Sequence, residues 1–360
     1  VRDGGGIRHD PLPLLPLLGQ ATSHLGLIAT VATTFYPPFL AARLFSTLDH
    51  LTKGRVGINL VTATLHQAAQ NYGYPQQFEH DLRYEMADEW TRLVTELWDS
   101  WEPGAYVADE KSGVLVDHTK IHTIDFEGQF YSSRGPLNVI PGPQRKPVIC
   151  QAGGSPAGRA FAAKHSEIII ATATSPDAMK EYREDIRQRM IGYGRDPDDA
   201  KILFLVSPTV GDTDASARER LDTALAAQAA DMDAKLAGMS YVTGKDLSKF
   251  DLDEPFDPGQ VNGHRSSAEE YTKAKKTLRE LVSSNSVSTG VDLVGTPETV
   301  ADTMEELMDH IGGDGFLIIL PVTRRHIAEI TDGLAPVLRK RGLIRSEYTG
   351  ATFRENLLAF

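Results

Sequence analysis

Gly26-Leu27-Ile28-Ala29-Thr30, Gly54-Arg55-Val56-Gly57-Ile58-Asn59-Leu60-Val61-Thr62 and His80-Asp81-Leu82-Arg83-Tyr84 are the pieces that decide how this chain folds. The first two are short apolar runs that end in a small polar residue. A buried parallel strand reads that way when its carboxyl end meets a ligand. The third sets His80 and Tyr84 one helical turn apart, so both face the same way. Later, Pro147-Val148-Ile149-Cys150-Gln151-Ala152-Gly153-Gly154-Ser155 reads as a strand, a glycine turn and a hydroxyl opening a helix. That arrangement suits a phosphate. Together the four pieces suit one phosphorylated, planar ligand.

Working outward, short strands alternate with single helices, which argues for parallel βα units. Six strands are expected, near residues 28, 58, 150, 170, 205 and 318. A closed (β/α)8 barrel needs eight, whereas an open doubly wound sheet could use six. No G-x-G-x-x-G follows any strand, so the dinucleotide version of the open sheet lacks its fingerprint. The chain therefore reads as an α/β protein of the (β/α)8 TIM barrel class, a single domain over residues 1–360. Its N-terminal strands, two in number, are expected before Val1. Residues 103–146 leave the alternation: Ile121–Phe126 and Gln129–Ser132 flank Glu127-Gly128 and predict a β-hairpin excursion. Helices are predicted over Asp81–Trp101, Ala215–Leu236 and Ala268–Ser283, a mobile loop over 240–266, and a tail after Arg341.

A formal charge of −12 argues against nucleic acid and anionic membrane as partners, since both need basic patches. The single cysteine, Cys150, permits no disulfide within the chain and fits a reducing, cytoplasmic setting. No apolar run approaches the ~20 residues needed to span a bilayer. His118 and His122 have the spacing of a helical metal pair, but they lie in the extended excursion, so no metal is expected. Trp90, Trp98 and Trp101 read as helix packing, and Cys150 as core.

In order along the chain, these pieces resemble the bacterial-luciferase-like flavin monooxygenases. The similarity is to the branch containing nitrilotriacetate monooxygenase, dibenzothiophene-sulfone monooxygenase and the pristinamycin synthase subunit. Beyond the segments quoted above it is carried by Ala42-Arg43 through Asp49-His50, Asn71-Tyr72-Gly73, Leu97-Trp98 through Trp101-Glu102 and Arg134 through Asn138. Gly295-Thr296-Pro297-Glu298 and Arg341-Gly342-Leu343 complete it. The resemblance implies a barrel with insertions that binds reduced FMN (FMNH2) at the carboxyl ends of its strands. Thr30 and Asn59 would end two strands beneath the ring, His80 and Tyr84 would come from a helix start, and Ser155, after Gly153 and Gly154, would take the phosphate. The family also uses an acidic residue on a strand ahead of the equivalent of Thr30; no such strand is read here, so that contact is either missing or outside this numbering. Ile58 stands where the family has Trp, which implies a differently shaped pocket wall.

The implied activity is that of a two-component monooxygenase. A separate NAD(P)H-dependent flavin reductase supplies FMNH2, and O2 converts it to a flavin hydroperoxide that oxygenates a small organic substrate. Organosulfur compounds, aminopolycarboxylates and other xenobiotics are the implied substrate classes, and a homo-oligomer the implied assembly. The cofactor carries the hard chemistry, so no catalytic acid or nucleophile is singled out. Two alternatives stay open: a deazaflavin-dependent oxidoreductase on the same barrel, and a non-catalytic flavin-binding protein. Each site residue also has a plain role available. Ser155 before Pro156 is a normal helix cap, His80 suits a helix start, and Thr30 and Asn59 could satisfy strand-end backbone. Gly153-Gly154-Ser155 does not fit the G-x-S-x-G elbow of hydrolases.

Overall fold

The computed structural model describes residues 9–173, 175–230, 232–243, 245–256, 276–283, 291–319 and 321–359. Its frame is six parallel strands: β1 (Leu27–Ala32), β2 (Val56–Val61), β3 (Val148–Ala152), β4 (Ile168–Ala171), β5 (Lys201–Val206) and β6 (Gly315–Ile318). Each expected strand is present. Each is hydrogen-bonded to the next in chain order, β1 to β6, with no reversal. A doubly wound sheet reverses direction at a switch point; this one winds one way only, as a barrel does. Among the described residues β1 and β6 form its edges.

Strand alternation divides the sheet into two faces. Leu27, Ala29 and Val31 of β1 and Val56, Ile58 and Leu60 of β2 are buried under helices Pro38–Leu51 and His80–Asp99. The second helix supplies Trp90, Leu93, Val94, Leu97 and Trp98 to that layer, at the i, i+3, i+4, i+7, i+8 positions of one helical face. As expected, the three tryptophans are packing residues. Each buried indole N–H finds a carbonyl: Trp90 donates to Tyr36 at 2.7 Å, Trp98 to Ala42 at 3.1 Å and Trp101 to Leu137 at 2.7 Å.

The opposite face is plugged at its lower end by a segment predicted as a plain tail. Residues Phe353–Leu358 form a helix opened by a Thr352/Glu355 capping box. The Phe353 amide donates to the Gly54 carbonyl at 2.8 Å, at the start of β2. A Cβ on Gly26 would lie 2.6 Å from the Phe353 ring, and one on Gly57 3.3 Å from it. The glycines of the opening motifs thus make room for this plug at the amino ends of the strands, away from any ligand. Arg354 pairs with Glu167 at the foot of β4 and anchors the helix there.

The excursion differs from its prediction. Its hairpin is two residues per strand, Phe126–Glu127 against Ser132–Ser133, and the turn spans Gly128 to Tyr131. A second ribbon pairs Tyr106–Asp109 with Val114–Val116; its residues are almost all exposed, so no apolar alternation announced it. The long helix predicted over Ala215–Leu236 is instead Asp214–Ala230 and Met232–Thr243. The loop predicted from Ser240 begins inside that second helix. Its residues 257–266, like most of the helix predicted from Ala268, lie outside the described residues; Leu278–Ser283 is helical.

Asp88, midway along helix His80–Asp99, ties it to helix Pro156–His165. It accepts from His165 Nε2 at 2.7 Å and Lys164 Nζ at 2.6 Å. The His165 hydrogen bond leads in holding its carboxyl well below the usual carboxylate range, against partial burial. A depressed folded-state pKa gives stability that is complete above the unfolded value of about 4 and fades as pH falls below it. Asp88→Asn is therefore expected to lower stability at pH 7, with the gap to the parent narrowing progressively at acid pH. Denaturant titrations at pH 7 and pH 3 check this; an equal gap at both would show that the ion pairs contribute nothing.

Candidate functional site

Thr30 and Asn59 face each other across the β1–β2 register on the side of the sheet away from the helices. Asn59 Nδ2 donates to Thr30 Oγ1 at 3.0 Å. The other amide atom, Asn59 Oδ1, is buried with no hydrogen-bond partner. Two expectations need correction. Neither residue ends its strand: Val31-Ala32 and Leu60-Val61 follow, so the pair sits below the rim. Ile58 walls no pocket on that face; it is 1% exposed and packs among the helix-side residues, because alternation turns it away from Asn59. Cys150, opposite Asn59 on β3, is fully buried, and burial pushes its thiol up to about 12. It is an inert core residue.

A second group converges above the carboxyl ends of β2 and β3. Glu79 caps helix His80–Asp99 by accepting from Asp81 N at 2.8 Å, which sets His80 at the first turn. His80 is 6% exposed, with Nδ1 2.6 Å from Asp81 Oδ1 and Nε2 3.5 Å from Ser155 Oγ. The Tyr84 ring lies 5.2 Å from the imidazole, as the four-residue spacing predicts. Burial raises the Tyr84 pKa, while hydrogen bonding by Ser155, Gln151 and Thr62 acts in the other direction. The phenol is therefore neutral, and a donor, throughout the physiological range. Ser155 Oγ accepts from Gly158 N at 3.1 Å as the cap of helix Pro156–His165.

The turn between β3 and that helix is unusually close. A Cβ on Gly158 would stand 2.9 Å from the Tyr84 hydroxyl and 3.0 Å from Gly153 Cα; one on Gly153 would stand 2.8 Å from the Gly158 backbone. Only glycine at both positions lets the turn fold onto Tyr84. Its carbonyls are tied back: Tyr182 Oη donates to Gly153 O at 2.8 Å, and Arg159 Nε to Gly154 O at 3.0 Å.

All seven predicted residues thus fall into two clusters, Thr30 with Asn59, and His80, Tyr84, Gly153, Gly154 and Ser155. Thr62, three residues beyond Asn59, joins the second cluster: its side chain acts on Tyr84, and its carbonyl takes the Thr34 hydroxyl at 3.1 Å. Sequence reasoning missed Thr62, Gln151 and Arg159 as parts of the site. Arg159, one turn beyond Ser155, was findable by helical spacing; Gln151 was findable as the one polar side chain in the apolar run of β3. His122, set aside as a metal ligand, bonds Glu102 at 2.6 Å. Among the described residues no three His, Cys, Asp or Glu side chains are grouped to hold a metal ion. Among the same residues no helix is long and apolar enough to cross a membrane.

The arrangement, a capped helix start with two glycines and converging hydroxyls beside an open strand face, matches a known architecture over most of its length. The luciferase-like monooxygenase family model matches residues 2–315. The chain belongs to the luciferase-like monooxygenase family. It is 37% identical over 361 residues to N-acetyl-S-(2-succino)cysteine monooxygenase of Bacillus subtilis (strain 168), covering 97% of this chain and 81% of that protein. It is 38% identical over 356 residues to dimethyl-sulfide monooxygenase of Hyphomicrobium sulfonivorans, covering 97% and 74%. The crystal structure of a riboflavin lyase with modified FMN and its substrate riboflavin superimposes with a TM-score of 0.90 at 32% identity, over 98% of this chain and 79% of that one. The fold is accordingly the luciferase-like TIM barrel, and the protein is an enzyme of the flavin-dependent monooxygenase type.

Proposed function

We propose that this luciferase-like monooxygenase is the oxygenating component of a two-component system, holding FMN that a separate NAD(P)H-dependent flavin reductase delivers in reduced form. The observation that carries this is the turn at Gly153–Ser155 and the helix it opens: Gly153 and Gly158, which admit no Cβ, a hydroxyl capping a ten-residue helix, and His80 and Tyr84 beside it. A helix start with such donors is an anion site. The strand face supplies the complementary end, since Asn59 Oδ1 is a buried acceptor in want of a donor, and an N–H of a planar ring provides one. The residues present therefore fit a flavin mononucleotide.

In this reading Ser155, Tyr84 and His80 hold the phosphate, and Thr30 and Asn59 orient the ring. Reduced FMN, when bound, supplies the electrons and the reactive centre for O2. The chain's own contribution is to bind and orient, with the neutral Tyr84 donating and the Thr30–Asn59 pair pre-setting the amide. Organosulfur compounds are the substrate class to test first, because three of the similar proteins are named for N-acetyl-S-(2-succino)cysteine, dimethyl sulfide and dibenzothiophene sulfone. No observation favours the deazaflavin or non-catalytic alternatives. With NADH and FMN alone the protein is expected to form no oxygenated product, and to form it once a generic flavin reductase and an organosulfur substrate are added. Product analysis against a control without this protein checks this; substrate oxygenation without a reductase would refute the two-component reading.

A further inference from the structure

Gln151 carries an unexplained atom. Its side chain is 2% exposed and its Oε1 is buried with no hydrogen-bond partner. Leaving such an acceptor unpaired costs about 1–3 kcal/mol, and a native structure seldom tolerates that without a use for it. The amide is well placed for one. It acts on the Tyr84 hydroxyl, and a Cβ on Gly153 would fall 2.8 Å from both its oxygen and its nitrogen. Gln151 thus lies against the same glycine turn that Ser155 closes.

A phosphate cannot satisfy this oxygen, because at neutral pH it presents almost only acceptors. The missing partner is an O–H donor close to the phosphate. We infer that Gln151 accepts a hydrogen bond from a hydroxyl of the sugar-alcohol chain next to the phosphate, so that the turn recognises a phosphorylated polyol and not a bare anion. This assignment rests on FMN as the ligand. It predicts a division of labour, with Ser155 reading the phosphate and Gln151 reading the ribityl chain that FMN and riboflavin share.

The test is Gln151→Met and Gln151→Glu in the full chain, with FMN and riboflavin titrated by flavin fluorescence and the ligand-free protein melted. Gln151→Met keeps the volume and removes the orphan oxygen. It should leave the melting midpoint unchanged or raised, while weakening FMN and riboflavin alike by about tenfold, the loss of ~1.4 kcal/mol. Gln151→Glu keeps an acceptor but adds a charge, so riboflavin affinity should hold within about threefold while FMN falls by more than tenfold. Unchanged riboflavin affinity in Gln151→Met overturns the assignment. So does a fall of the midpoint in both variants with loss of both ligands, which would make Gln151 a structural prop for Tyr84. If the unaltered protein binds riboflavin but shows no preference for FMN, the phosphate reading fails separately.

Discussion

Replacing Ser155 with alanine is expected to weaken FMN by roughly 10- to 150-fold, the ~1.5–3 kcal/mol of a hydrogen bond to a charged group, and to change riboflavin little. The asymmetry follows from the position of the hydroxyl. Its oxygen accepts from Gly158 N as a helix cap, and its O–H, which has Tyr84 and His80 Nε2 as neighbours, can turn to donate to a phosphate over the helix start. Only FMN brings a phosphate there. Losing the cap also costs helix stability, typically about 1 kcal/mol, and that loss affects both ligands equally. Ser155→Asp separates the two effects, since it keeps a capping oxygen and places a negative charge against the phosphate. It should melt near the parent and bind FMN worse than Ser155→Ala does. Equal weakening of FMN and riboflavin by both variants would reduce Ser155 to a cap.

The largest stability effect is expected at Glu89. Its carboxylate is 4% exposed and accepts three backbone N–H groups of the excursion turn: Phe130 and Tyr131 on Oε1 at 2.8 and 2.7 Å, and Gln129 on Oε2 at 2.8 Å. Gly128 precedes them, and a Cβ there would overlap the carboxylate at 2.1 Å. Glu89→Ala strands all three donors at once, and roughly 3–5 kcal/mol should be lost even after the turn relaxes toward water. Glu89→Gln should cost less, because one oxygen survives, but its NH2 opposes at least one backbone N–H. Urea denaturation with both variants decides the matter. A Glu89→Ala loss under 1 kcal/mol, within the range of a surface substitution, would show the turn to be held from elsewhere.

Much of this was legible in the sequence, and what was not has a physical reason. Runs such as Val148-Ile149-Cys150 and Ile168-Ile169-Ile170 announce strands buried on both faces, and the single helix between them makes them parallel, whereas the one-way order of the six strands is set by long-range pairing. The pairing of His80 with Tyr84, and Ser155 as a helix opener, follow from local periodicity and capping. Partners brought in from afar leave no local mark. Gly26 and Gly57 are small because of Phe353, at the other end of the chain. Glu89 looks like any acid on a helix's polar side, although it closes a turn some forty residues away. Ile58 was misplaced because a strand's alternation, and not its distance from Asn59, decides which face a side chain joins. The depth of Thr30 and Asn59 below the rim depends on where the strands stop pairing, which is the least certain part of any strand boundary.

The central claim is that this chain inserts oxygen from O2 into an organic substrate, using flavin held between the Thr30–Asn59 pair and the Ser155 turn. The measurement that tests it most directly is product isotope content. The protein is incubated under ¹⁸O2 with FMN, NADH, a flavin reductase, and dimethyl sulfide, dibenzothiophene sulfone or nitrilotriacetate in parallel. One ¹⁸O atom per turnover in the oxygenated product, none of it when the label is in water, is the expected result. Product labelled only from H2¹⁸O, or formed equally well without O2, would contradict the account.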